Sequence, residues 1–181
     1  MTRTLIVLAV LLCAGLVIRS RWQAWTLRRA QTAAAAAGLR EQVLSRRMLP
    51  PRPDGDPTVV RGVVMDWSLG SGVATLIAID DGTVSLYLNP GGGVIGAGTH
   101  PAVARAAAAF RQEGLRVRHA FIETSSFSAP GPDSMAFYIL TDAATLKSGV
   151  VAADQIGKTG DPLGPLGAAA QALLTEVRRA K

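Results

Sequence analysis

Apolar side chains fall along this chain in three different patterns, and each predicts a different kind of element. From Leu5 to Ile18 the run LIVLAVLLCAGLVI contains no polar side chain. From Trp22 to Met48 the chain is rich in alanine and arginine and free of proline, with Leu27, Ala30, Ala34, Ala37, Leu44 and Met48 near one helical face. From Val59 onward the apolar positions come in short β-rich runs separated by turn residues. Between the second and third regions, Leu49 to Pro57 holds four prolines in nine residues, which excludes helix and favours an extended spacer. The pattern therefore divides the chain into an anchor at 1–21, a helix at 22–48, a linker at 49–57 and a globular domain at 58–181.

Within the globular part, Val59–Trp67 and Val73–Ile79 are apolar on both faces, as central strands are. Asp80-Asp81-Gly82 between the second run and the next predicts a tight hairpin, because Asp-Gly suits positive φ. Thr83–Leu88 alternates, with Val84, Leu86 and Leu88 on one face and Ser85 and Tyr87 on the other, the pattern of a half-buried strand. A glycine-rich break follows, then a helix from about His100 to Gln112. Thr99 is its expected N-cap, Pro101 sits in its first turn and Gly114 ends it. Val117–Glu123 and Met135–Thr141 predict a fourth and a fifth strand, and Leu146–Ala152 is open to being a sixth. Pro165–Arg179 predicts a closing helix with Leu166, Ala170, Leu173 and Val177 on one face. Hairpin-joined strands with few helices make an α+β fold. The expectation is an antiparallel sheet of five or six strands with two packed helices, behind an N-terminal transmembrane helix.

The flanks of the first apolar run decide how it is read. Fourteen residues of helix span about 21 Å, short of the hydrocarbon core, so length alone also admits a signal peptide. The run ends in Leu16-Val17-Ile18-Arg19 with no small-residue cleavage pattern after it, and Arg19, Arg21, Trp22 and Trp25 then supply an interface of snorkelling cations and indoles. An uncleaved anchor is the reading adopted; a cleaved signal and a buried core helix are its alternatives. Arginine asymmetry across the run orients it. Only Arg3 precedes it, whereas Arg19, Arg21, Arg28 and Arg29 follow, so the C-terminal domain is expected in the cytoplasm of a single-pass inner-membrane protein. The alanine-rich stretch after it reads as a solvated juxtamembrane helix, with weak dimerisation as the alternative.

Charge changes the picture further. The first 52 residues carry nine arginines against Glu41, a net of +8, and the remainder carries ten basic and twelve acidic residues, a net of −2; together they make the overall +6. A basic front beside a mildly acidic domain suits a bilayer surface and makes the domain a poor candidate for nucleic acid. Cys13 is the single cysteine and only His100 and His119 are histidines, so neither a disulfide nor a cysteine or histidine metal site is expected, and no cofactor is implied.

One stretch carries candidate chemistry. Gly91-Gly92-Gly93-Val94-Ile95-Gly96 matches GxGxxG after a predicted strand, and Glu123 could imitate a ribose-binding acid. The expected helix starts well beyond the glycines, whereas a dinucleotide fingerprint opens its helix within them. A tight turn in which glycine supplies positive φ is the favoured reading. A loop binding phosphate or carboxylate through Gly92, Gly93, Gly96, Gly98, Thr99 and His100 at the helix N-terminus is the middle one. His119 and Glu123 stand too far apart along a strand to form a dyad, Asp66, Asp80 and Asp81 read as turn-flanking acids, and Ser125 and Ser126 lack a nucleophile context, so no catalytic residue is assigned.

The order of elements over about 58–180, a helix between two groups of strands and a closing helix, resembles profilin-like domains and the roadblock type among them. The segments MDWSLGSGVATLIAIDDGTVSLYLNPGGGVIGAG and MAFYILT are similar to uncharacterised bacterial proteins with a membrane anchor. Roadblock domains serve as dimerising scaffolds or regulators of small GTPases, and the resemblance implies a role of that kind. The expected function is thus a membrane-tethered module that binds another protein or itself, with a small-ligand-binding or enzymatic domain using the glycine-rich loop as the alternative.

Overall fold

A computed structural model describes residues 31–49, 52, 56, 58–70, 72–89, 91–158 and 160–180. The anchor expected at 1–21 and its interface at Arg19, Arg21, Trp22 and Trp25 lie outside these residues. No helix among the described residues is long and apolar enough to cross a membrane. Residues 31–44 are helical and form α1.

The domain is α+β with an antiparallel sheet. Its strands are β1 (Gly62–Leu69), β2 (Gly72–Ile79), β3 (Val84–Asn89), β4 (Gly93–Val94), β5 (Ile122–Glu123), β6 (Ser134–Leu140), β7 (Thr145–Lys147) and β8 (Val151–Ala152). Two further helices are α2 (Pro101–Val117) and α3 (Gly164–Arg179). The sheet runs β4-β3-β2-β1-β6-β7-β5, and β8 pairs with β6 beyond β7. Among the described residues the sheet thus has eight strands rather than five or six, and three helices rather than two pack on it.

The two-faced apolar strands take the centre. β1 pairs with β2 from Gly62↔Ile79 to Leu69↔Gly72 and with β6 from Gly62↔Leu140 to Trp67↔Met135. One face of these strands carries Val63, Met65, Leu76, Phe137 and Ile139, and it is covered by Val103, Ala107 and Phe110 of α2 and by Leu166, Ala170, Leu173 and Val177 of α3. Phe110 and Phe137 meet edge to face with ring centroids 6.5 Å apart, a favoured aromatic geometry.

The opposite face carries Val64, Ile77, Ile79, Tyr87, Ala136, Tyr138 and Leu140 and packs against Ala36, Val43 and Leu44 of α1. The solvated helix expected around 22–48 is corrected over 31–44: small alanines let the helix approach, and Val43 and Leu44 are its anchors. Thr145 Oγ1 donates to the Leu44 carbonyl at 2.8 Å and satisfies one of the acceptors that a helix end leaves open. The same cover corrects β3. Ser85 and Tyr87 were expected to face solvent, but both are buried, so the strand's alternation marks two different cores rather than core and water.

Two boundaries also differ for local reasons. Helix α2 does not stop at Gly114 but runs through it to Val117, followed by a 3-10 turn at Arg118–Ala120, which leaves only Ile122–Glu123 of the expected fourth strand. Gly114 is a contact point rather than a stop signal, since a Cβ there would stand 2.5 Å from Cγ2 of buried Val63. The expected sixth strand is divided at Ser148. Its amide donates to the Phe137 carbonyl at 2.9 Å, while the Phe137 amide donates to the Ser148 hydroxyl at 3.0 Å in place of a backbone acceptor. β7 and β8 therefore lie on the same edge of β6 with a bulge between them.

Alanine is the better helix former by about 1 kcal/mol, but Val63 is a stiff β-branched residue in a full core. Gly114→Ala is therefore expected to destabilise the protein by about 1–2 kcal/mol net in a denaturant titration. An unchanged or raised midpoint would show that the sheet yields to the added methyl.

Candidate functional site

Two features stand out once the layers are in place: a charged cluster sealed beneath α1, and an open apolar groove on the other face of the sheet.

The cluster is built around Asp66, which has no exposed surface although it sits in the middle of β1. An ionised carboxylate cannot be buried without partners. Arg40 of α1 donates to Asp66 Oδ2 through Nε at 2.9 Å and Nη2 at 2.6 Å, and Thr75 Oγ1 donates to Oδ1 at 2.7 Å. Burial works against the Arg40 charge, but the hydrogen bond and the charge of Asp66 more than offset it, so the guanidinium holds its proton more firmly than usual. The Tyr138 hydroxyl lies 3.4 Å from Arg40 Nη2 and itself donates to the Ser128 carbonyl at 3.3 Å. Burial, aided by the Asp66 charge and opposed by Arg40, pushes the Tyr138 phenol up to about 12. Asp66 is thus a structural counter-ion, not the turn-flanking acid expected of it.

Asp80 is corrected in the same way. Buried Arg61 donates to it at 2.8 Å and also pairs with Asp142, while Arg52 reaches Asp80 at 2.7 Å. These ion pairs join the start of β1 to the β2–β3 hairpin and to the turn after β6. Asp81 keeps its turn role and accepts from the Thr83 amide at 2.8 Å.

The groove lies where β1, β2 and β3 run past the end of the helical layer. Its floor is Ala74 and Leu86, its sides are Trp67, Leu69 and Leu88, its outer edge is Gly93 and Val94 of β4, and the last turns of α3 contribute Leu174 and Arg178. It encloses about 460 Å³. Leu69 is 45% and Leu88 38% exposed, on the face that elsewhere is packed by helices. Among the described residues that line this wall, Arg178 is the one ionisable side chain. Arg179 beside it is paired with Glu176 at 2.9 Å, whereas Arg178 has no ion-pair partner among the described residues.

Of the six glycine-loop residues singled out from the sequence, Gly93 lines this groove and the others do not converge on it. Gly93 has φ +146, and a Cβ on it would collide with the Leu86 carbonyl across the strand pair. Gly98 is similarly held against the Gly82 carbonyl. Gly92 and Gly96 have open space around them, and Thr99 and His100 are exposed. Helix α2 is capped at His100, not Thr99, and without a side-chain hydrogen bond. It opens at Pro101, five residues past the last glycine of the motif, which is the wrong place for a dinucleotide fingerprint. Gly91, Gly92, Gly93 and Gly96 all have positive φ, as the turn reading expects, and Gly91, Gly93 and Gly98 also sit where a Cβ would collide with a neighbour.

Sequence reasoning missed both features. Asp66 within an otherwise apolar two-faced strand was a signal for a buried partner, but Arg40 is one of nine arginines in the first 52 residues and no pattern singles it out. Among the described residues no three histidine, cysteine or acidic side chains come together as a metal site.

The cluster makes the fold sensitive to alkali. Because the folded phenol of Tyr138 titrates above its ordinary value of about 10, its contribution is complete below pH of about 10 and is lost as pH rises toward 12. In a Tyr87→Phe variant, where Tyr138 is the sole tyrosine, tyrosinate absorbance is expected to rise with a midpoint near 12. Asp66→Asn, which removes the charge that raises it and leaves Arg40, is expected to lower that midpoint and to cost about 3 kcal/mol of stability. A midpoint that ignores Asp66→Asn would sever the coupling inferred between the two. A comparison of the chain with known protein families, curated proteins and solved structures found no match.

Proposed function

We propose that this chain is a binding module, tethered to the inner membrane by its N-terminal segment, which takes an apolar partner in the groove between β1–β4 and α3. The groove carries this reading: an apolar recess of about 460 Å³ falls within the range of roughly 300–1,000 Å³ typical of ligand sites, and the described residues of its walls include no acid, base or nucleophile set. The tether rests on the apolar run Leu5–Ile18 with Arg19, Arg21, Trp22 and Trp25 behind it, and the cytoplasmic placement of the domain on the arginine excess after that run. A profilin-like arrangement is part of the proposal, supported by the order of four strands, α2, four strands and α3. The glycine-rich loop enters this function through Gly93 and Val94 as one wall of the groove, not as an anion cradle.

Trp67 supplies the test, because it lines the groove and the chain's other tryptophans are Trp22 and Trp25. In full-length protein carrying Trp22→Phe and Trp25→Phe, held in lipid nanodiscs, 1-bromononane is expected to quench Trp67 emission in a saturable manner. Leu88→Lys, at an already exposed position, is expected to weaken that quenching without shifting the emission of the free protein. Quenching that never saturates, or that ignores Leu88→Lys, would remove the groove as the binding site.

A further inference from the structure

We propose that the groove accommodates one long-chain fatty acid, its hydrocarbon chain lying along β1–β3 and its carboxylate on Arg178. The inference rests on the binding reading above and adds the chemistry of the occupant.

Three observations point to this ligand. The first is what the walls lack. Among the described residues, the side chains facing the groove apart from the Trp67 indole and Arg178 are aliphatic, Leu69, Leu86, Leu88 and Leu174 among them. A peptide laid on such a surface would bring a backbone N–H and C=O at every residue, each costly to bury without a partner. A hydrocarbon chain brings none, and every methylene it buries is favourable.

The second is the cation. Arg178 is exposed at the end of the apolar wall and has no ion-pair partner among the described residues. A guanidinium presents a planar fork that matches a carboxylate in two parallel hydrogen bonds. The C-terminal end of the α3 dipole favours the arginine and weakly opposes the incoming anion, but that field is the smaller effect beside a direct charge-assisted contact.

The third is size. About 460 Å³ is toward the lower end of the range for small-ligand sites, which favours one acyl chain over the two of a diacyl lipid. The groove is bounded by β4 on one side and by α3 on the other, so a single chain can lie in it with its head group at the mouth beside Arg178.

The same sole-tryptophan protein in nanodiscs tests the proposal with dibromostearic acid as the probe. Saturable quenching of Trp67 is expected, with the brominated stearyl alcohol needing about tenfold more for half-quenching, because it lacks the charge. Arg178→Gln is expected to raise the half-quenching concentration of the acid by about tenfold, while Arg179→Gln leaves it unchanged. Equal potency of acid and alcohol would overturn the anionic head group, and so would equal effects of the two arginine variants. Quenching by nanodiscs built from a brominated diacyl phosphatidylcholine, with none from the acid, would assign the groove to bilayer lipid. Displacement of the acid by a leucine- and valine-rich peptide at lower concentration than unbrominated stearate would assign it to a protein partner. If 1-bromononane quenches saturably and the acid does not, the fatty acid falls and the groove survives as a binding site; if neither does, both readings fall together.

Discussion

Asp66 is a carboxylate without exposed surface in the middle of the central strand, and the arrangement of the second layer follows from the need to neutralise it. Thr75 on the neighbouring strand offers a hydrogen bond but no charge. The charge comes from Arg40, two contacts at 2.6 and 2.9 Å from a helix that precedes the domain in sequence. An ion pair of this kind is weak evidence for net stability, because desolvation offsets much of its attraction. Its effect is on specificity. A helix that slid or rotated along the sheet would strand two charges in an apolar layer, so the pair fixes the register of α1 against β1 and β6. Ala36, Val43 and Leu44 alone would tolerate several settings.

Packing of α1 alters what a tether means here. In the proposed membrane-bound protein, the apolar run ends at Ile18 and the packed helix is under way by residue 31, so only the twelve residues 19–30 separate bilayer from domain. The proline-rich stretch 49–57, expected to be an extended spacer ahead of the domain, comes after the helix that is already packed on the sheet. It links two layers of one domain rather than a stalk and its cargo. Arg52, within that stretch, is itself held by Asp80 at 2.7 Å.

The glycines show how one composition serves different ends. A row of them between a strand and a helix invites comparison with phosphate-binding loops. Here Gly91 lies under Thr32 of α1, Gly93 against the Leu86 carbonyl and Gly98 against the Gly82 carbonyl, so each marks a place where backbone or a helix comes too close for a side chain. Gly114 does the same in the middle of α2 against Val63. One consequence is that β4 is short and closely applied to β3, and its low wall leaves Leu88 and Leu69 uncovered beside α3.

The central strands, the hairpin at Asp80–Gly82, the strand at Met135 and the closing helix were legible in the sequence, because hydrophobic period and turn chemistry are local properties. α2 was legible in its existence and its buried stripe of Val103, Ala107 and Phe110, but not in its end, since a glycine that stops a helix and one that lets it touch a sheet look alike along the chain. What lies on each face of a strand was legible only as apolar or polar. Ser85 and Tyr87 looked solvent-facing because the pattern carries no trace of a helix arriving from the other side. The pairing of Arg40 with Asp66 spans 26 residues, and the groove gathers side chains from four strands and α3. Distances of that kind are set by how the layers stack, and that was decided by the tertiary structure alone.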